Sequence, residues 1–320
     1  DDVESRGLGD VYKRQEYKDA WDKFVRTSKN GTFLFYRDFI EYHADRFRDY
    51  SLMFYLNDVL VALMPGHMED RIFYSHKGLT YGGLIMSDKT TAANVLSIFE
   101  YLTTTFRHQG IRKIIYKAVP HIYHIRPAEE DLYALFRYKA TLTSCSISST
   151  LLLADRTKFS DLRKRGVKKA LKNNLAVKKT TDYSGFWQIL SRNLKDKYEA
   201  EPVHSLAEIN YLKSKFPRNI HLFTVGNTDS SIIGGCLVFE TERVAHIQYV
   251  AATEEGKKHG AIDLVIDHII NTAFAHKTYF DYGTSTENGG WHLNENLIHQ
   301  KEGFGARGTV YNIYTIDLSI

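Results

Sequence analysis

From His221 to Gly283 the chain passes through three strand-like runs, a charged Gly-containing turn, a long apolar-periodic helix and a further strand. This order constrains the fold more than any other feature. The three runs are "HLFTVGN", "SIIGGCLVFE" and "RVAHIQYVAA", separated by short turns at Asn-Thr-Asp-Ser and Thr-Glu-Arg. Runs this rich in β-branched and aromatic residues, joined by so few residues, read as an antiparallel meander. The helix "AIDLVIDHIINTAFAHK" and the strand "TYFDYG" follow, then a Gly- and Asn-rich loop, a helix "LNENLIHQKEGFG" and a last strand "TVYNIYTIDL".

The first half has a similar order. "SLMFYLNDVLVALMPGHM" reads as two strands around Asn57-Asp58, a tight hairpin signal, and "RIFYSHKGLTYGGLIM" as a further strand-rich piece. "TTAANVLSIFEYLTTTFRHQG" is an amphipathic helix closed by Gly110, and "IRKIIYKAV", "AEEDLYALFRY" and "CSISSTLLLA" read as strand, helix and strand. Three helices open the second half: a basic one from Leu162, one expected to be capped by Ser184, and one with a capping box at Ser205 and Glu208. Two successive mixed α/β units are expected, at 16–154 and 155–320, with similarity in element order rather than in residues. The first fifteen residues, "DDVESRGLGDVYKRQ", have neither helical nor strand periodicity and are set aside as a non-native or disordered leader.

Charge and cysteine content narrow the class. A net charge of +4 is too mild to point to DNA, and no apolar run has the roughly 18 residues of a membrane span. Cys145 and Cys236, far apart among apolar or small residues, are expected to be buried free thiols, which with the missing signal peptide suits the cytoplasm. His121 and His124 have no third ligand at metal spacing, and no Gly-x-Ser-x-Gly elbow, Walker loop or Rossmann fingerprint occurs. No metal is expected.

The second half resembles the FemAB/FemX group of the GNAT acyltransferase superfamily. The resemblance rests on "LRKRGVKKALKNNLAVKK", on "EEGKKHGAIDLVIDHII" with "YFDYGTSTE", and on "QKEGFG", a Lys followed three residues later by Phe. It covers about 155–315, with weaker support in "GTFLFYRDF" and "SHKGLTYGGL". It implies two tandem GNAT-like α/β (α+β) mixed-sheet units, with the active cleft on the second and the first closing over it. It also implies transfer of an acyl or aminoacyl group to an amine on an envelope-glycan precursor. The donor is an acyl-CoA or an aminoacyl-tRNA, and contact with a membrane surface stays open. A non-catalytic binding protein for a sugar nucleotide or carbohydrate is the alternative.

Site residues follow from the resemblance and from the chemistry. In acyl-CoA-using members the loop after the meander holds the cofactor pyrophosphate on backbone amides and a helix N-terminus. Here that assigns Val250, Ala251, Lys257, Lys258, His259, Gly260 and Ala261, with Ile262 standing where the pattern has Gly or Ala. Lys301 of the closing Lys-x-x-Phe motif is assigned to the carbonyl oxyanion, with Phe304 beside the substrate. Strict alternation along "AHIQYVAA" places His246, Gln248 and Val250 on one face and Ala245, Ile247, Tyr249 and Ala251 on the other. His246 or Gln248, or alternatively Tyr249, then faces the acceptor. Asp281 and Glu287 are candidates for proton acceptance or acceptor hydroxyls. Between Asp155 and Lys179 ten Lys or Arg oppose two Asp. Like charges four residues apart repel, so Arg163, Arg165, Lys168 and Lys169 read as an anion site or a solvated face.

Overall fold

The computed structural model describes residues 3–7, 14–226 and 231–319, without the side chains of 3–7, 14–16 and Tyr198. The chain groups into two compact units: Asp1–Ile147 with Thr286–His292 and Val310–Ile320, and Ser148–Ser285 with Leu293–Thr309.

In the first unit, strand β1 (Val3–Gly7) pairs antiparallel with β2 (Leu52–Leu56). The leader set aside above thus holds a strand that periodicity did not reveal; residues 1–2 and 8–13 lie outside the described residues. Helices α1 (Arg14–Thr27) and α2 (Arg37–Ile40) come next. The hairpin from β2 to β3 (Val59–Met64) turns at Asn57 and Asp58, whose φ values of 49° and 59° are those the Asn-Asp signal calls for. Strands β4 (His67–Glu69), β5 (Ile72–Tyr74) and β6 (Ile85–Met86) are short. Helix α3 (Ala92–His108) starts at a Thr91–Asn94 capping box and is followed by Gly110 at φ 71°. Strand β7 (Lys113–Lys117), helix α4 (Glu130–Arg137) and the first part of β8 (Thr141–Leu152) follow. Phe54, Phe73, Phe99, Ile114 and Tyr116 centre the core of this unit.

The second unit opens on the rest of β8 and the basic helix α5 (Asp161–Lys172). The tail of the basic stretch is not helical: Ala176–Thr180 is strand β9, paired antiparallel with β10 (Ile220–Gly226). Helix α6 (Ser184–Tyr198) is not capped by Ser184, which is its first residue; the Asp182 carboxylate accepts from the Ser184 amide instead. Helix α7 (Leu206–Lys215) has the expected capping box at Ser205 and Glu208. The meander is present as β10, β11 (Ile232–Glu240) and β12 (Val244–Ala252), all antiparallel. Helices α8 (Glu254–His259) and α9 (Ala261–His268) then lead to β13 (Tyr279–Thr284), which lies parallel to β12. The short pair β14 (Thr286–Glu287) and β15 (His292–Leu293), helix α10 (Glu295–Glu302) and β16 (Arg307–Asp317) complete the chain. Its core gathers Phe223, Cys236, Val265, Ile269, Phe280 and Phe304. Cys236 is buried as expected, but Cys145 is exposed, because it falls on the outward side of β8. No helix among the described residues is long and apolar enough to cross a membrane.

Candidate active site

Strands β12 and β13 pair only from Val244↔Tyr279 to His246↔Asp281, although β12 runs on to Ala252 and β13 to Thr284. Beyond that point the two parallel strands part at their carboxyl ends, the place where open α/β sheets form ligand crevices. A cavity of about 480 Å³ lies there. Its walls are Ile247, Val250, Ala251 and Ala252 of β12, Tyr282 of β13, Leu190, Asn193 and Leu194 of α6, and Lys301 and Phe304 at the end of α10. Asp196, Lys197, Glu254 and Lys257 bring charge to the lining, and Glu254 pairs with Lys257 at 2.6 Å.

A β-bulge shapes the β12 wall. Leu237 of β11 faces Tyr249 and Val238 faces Ile247, so Gln248 is an extra residue in the ladder. The strict alternation expected from the sequence fails at this point, and Ile247 and Val250 both reach the cavity. Tyr249 is turned elsewhere: its hydroxyl meets His204 Nδ1 at 2.8 Å and its ring lies edge-on to Trp187. Neither His246 nor Gln248 lines the cavity.

Lys301 is held at two points in the cavity wall. Its Nζ donates to the carbonyl oxygens of Gly283 and Thr284, both at 2.8 Å. Burial pulls its pKa down to about 8, while the negative charge of Asp281 acts in the opposite direction. An ammonium has three N–H groups, so two carbonyl acceptors leave one for a third partner. Phe304 lies two residues past the end of α10 and is buried against Phe159 and Tyr282, with the Arg163 guanidinium 5.3 Å from its ring centre. The Tyr282 hydroxyl is buried, has no hydrogen-bond partner among the described residues, and belongs to a cavity-lining residue. Sequence reasoning missed it. The signal available was its place next to Asp281, on the opposite face of the same strand.

Asp281 is fully buried and is not open to an acceptor hydroxyl. Its Oδ2 accepts from His246 Nδ1 at 2.8 Å, and its Oδ1 from the hydroxyls of Ser148 and Thr150 and, at 3.3 Å, from the Gly283 amide. Glu287 belongs to the segment Thr286–His292, grouped with the first unit, and does not line the cavity.

The expected phosphate loop is not a loop. Glu254–His259 is helical, and Thr253 caps it by accepting from the Gly256 amide. Gly260 (φ 81°) separates α8 from α9, and a Cβ there would stand 2.4 Å from the Gly166 carbonyl oxygen of α5. Its glycine character therefore serves a close crossing of two backbones. Asp263, one turn into α9, pairs with Arg163 at 2.8 Å across the same crossing. This segment does not fit a pyrophosphate cradle. Of the residues assigned to one, Val250, Ala251 and Lys257 line the cavity, whereas Lys258, His259, Gly260 and Ala261 do not. In the basic helix Arg163 is committed to Asp263 and Phe304, and Arg165, Lys168 and Lys169 are exposed and outside the cavity lining.

No protein-family profile and no curated protein matches the chain. Among solved structures it is similar to FemX, with a TM-score of 0.68 and 10% identity over 98% of this chain and 97% of that one. It is also similar to L-PGS from Bacillus licheniformis, with a TM-score of 0.63 and 11% identity over 92% and 90% of the two chains. The C-terminal domain of a putative lysylphosphatidylglycerol synthetase from Agrobacterium fabrum gives 0.62 and 10% over 95% and 92%. Identities this low speak to architecture alone, and by architecture the chain carries the α/β fold of FemX.

Proposed function

We propose that this protein is an acyl- or aminoacyltransferase that acylates an amine, with its reaction centre in the cavity between β12 and β13. The observation that carries this reading is the Lys301 ammonium, held by two carbonyls at the wall of a mostly apolar cavity. Attack by the amine forms a C–N bond and moves negative charge onto the carbonyl oxygen. The C–O or C–S bond to the leaving group then breaks, and the amine's proton passes to the leaving group or to water. The remaining N–H of Lys301 opposes the oxygen's charge in a site of low polarity, where such a donor acts most strongly. Asp196 and Glu254 are the carboxylates on the cavity wall and can draw an ammonium-bearing acceptor toward the carbonyl. The acceptor attacks as the free amine after giving one proton to water.

Likeness to FemX and L-PGS supports an activated acyl or aminoacyl donor, and the acceptor class we favour is an amine on a nucleotide- or lipid-linked envelope-glycan precursor. An acyl-CoA and an aminoacyl-tRNA both remain donors within this proposal. The poor fit of Lys257–Ala261 to a pyrophosphate means that a CoA donor would need another phosphate grip. Calorimetric titration with acetyl-CoA and with UDP-amino sugars, followed by a transfer assay, tests the reading. Lys301→Ala is expected to lower the transfer rate about 10²–10³-fold, the usual loss on removing one oxyanion donor. Sugar-nucleotide binding with no turnover from either donor class would identify a binding protein instead.

A further inference from the structure

Asp281 faces away from the cavity that Lys301 lines, yet one residue connects them. Gly283 donates its amide to Asp281 Oδ1 and offers its carbonyl to Lys301 Nζ. Gly283 sits at φ 76°, a conformation that side chains disfavour, and the turn it makes presents two successive carbonyls, its own and that of Thr284, to one ammonium. Asp281 is itself held by Ser148, Thr150 and His246, so the carboxylate is an anchored point from which the turn is built. We propose that Asp281 is a positioning residue: through Gly283 it fixes the carbonyl pair that grips Lys301, and its buried charge keeps that lysine an ammonium.

The assignment rests on the proposed role of Lys301 and replaces a direct proton-accepting role for Asp281. It explains why a fully buried carboxylate stands behind a site whose chemistry is on the other face of the strand. The charge of Asp281 supports the ammonium across a medium of low polarity, where burial alone would favour the neutral amine. Other titratable or charged groups around Lys301 are Glu295, His299 and Glu302 on its own helix, Tyr282 on β13, and Asp196, Lys197, Glu254 and Lys257 on the cavity wall. His246 stands behind Asp281, and Arg163 is already paired with Asp263.

The test reads the lysine directly. Protein labelled with ¹⁵N at lysine Nζ is titrated by NMR, with the Lys301 signal assigned by its loss in Lys301→Met. In Asp281→Asn the titration midpoint is expected to fall by about one pH unit, a tenfold drop in the ammonium-to-amine ratio. The alkaline limb of any transfer rate should move by the same amount, with kcat reduced and KM little changed. Because the NMR midpoint needs no turnover, failure of the positioning role and failure of the transferase reading are separable. Should Asp281→Asn not fold, Ser148→Ala serves: it keeps the carboxylate but strips one donor from Oδ1, leaving its charge less neutralised, and the midpoint should rise. A Lys301 midpoint equal to wild type in a folded Asp281→Asn, or in Ser148→Ala when that variant is the one used, overturns the proposal.

Discussion

Lys301 and Tyr282 stand within one cavity wall and bring opposite chemistry to it. Lys301 is most useful as an ammonium, and its pKa of about 8 sets where that form is lost. As pH rises through that value the ammonium fraction falls, so transfer should decline on an alkaline limb centred near pH 8. A pH–rate profile checks this, and Lys301→Arg, which keeps its charge, should remove that limb even if the rate is lower. Tyr282 presents a buried hydroxyl with no hydrogen-bond partner among the described residues. An unsatisfied buried hydroxyl costs about 1–3 kcal/mol, and on a cavity wall a bound molecule can supply the partner. Tyr282→Phe should therefore leave stability unchanged or raise it by about 1 kcal/mol while slowing transfer about tenfold. Chemical denaturation and steady-state kinetics on the same variant decide the matter, and a slower enzyme that is also less stable would count against a substrate contact. Lys301 was singled out through the resemblance that its spacing to Phe304 carries, and it lines the cavity. Tyr282 was not, because strand alternation says which residues share a face but not which face opens onto a cavity.

At the level of elements, the crossing of α5 and α9 organises one side of the cavity. Gly260 lets the backbone of α5 approach and Gly166 leaves room for the Asp263 carboxylate, while Arg163 pairs with Asp263 across the contact and its guanidinium lies over Phe304. Gly260→Ala places a methyl 2.4 Å from a carbonyl oxygen at a φ of 81°. It is expected to lose at least about 2 kcal/mol of stability, combining left-handed strain with displaced packing. Urea denaturation measures the loss, and a stability equal to wild type would show that Gly260 is not confined by α5. This crossing is what the sequence pattern disguised. A strand, then Lys-x-x-Gly, then a helix looks alike whether the glycine admits a phosphate or a neighbouring helix. Short-range order was easier: the Asn57-Asp58 turn, the Ser205–Glu208 box and the three-stranded meander depend on residues within a few positions of one another. The bulge at Gln248 was hidden, since an extra residue in a ladder is defined only by the strand opposite it.

Across the whole molecule, the two units should respond differently to acid. In the first, His67 and His76 are buried near His43, Phe47 and Tyr74. Burial, helped by the positive charge of Lys77 and Lys117 and offset for His67 by Glu69 and Asp49, lowers the pKa of His67 to about 4. Burial together with the neighbouring His43 and His67 lowers that of His76 to about 2. Below pH 6.5 the unfolded chain binds protons that the folded unit refuses, so stability falls as pH drops from about 6.5 to about 4. Each histidine weakens the fold by up to about 1.4 kcal/mol per pH unit in that window. In the second unit Glu240, held at about 2 by His221 and Lys277 against its burial, loses its contribution only as pH falls below about 4.5. Hydrogen exchange at pH 7 and pH 5 should show greater acid loosening around His67 and His76 than along β10–β12, and equal loosening would refute the assignment. By itself the sequence determined the three-stranded meander, the Asn57-Asp58 turn and the Ser205–Glu208 box, because each rests on residues close together in the chain, and its resemblance to the FemX group pointed to the fold. Only the tertiary structure decided that Gly260 packs on α5, that Asp281 lies beneath the site rather than in it, and that Tyr282 lines the cavity. Those assignments depend on contacts between residues far apart in the chain, and no local pattern encodes which face a neighbour will cover.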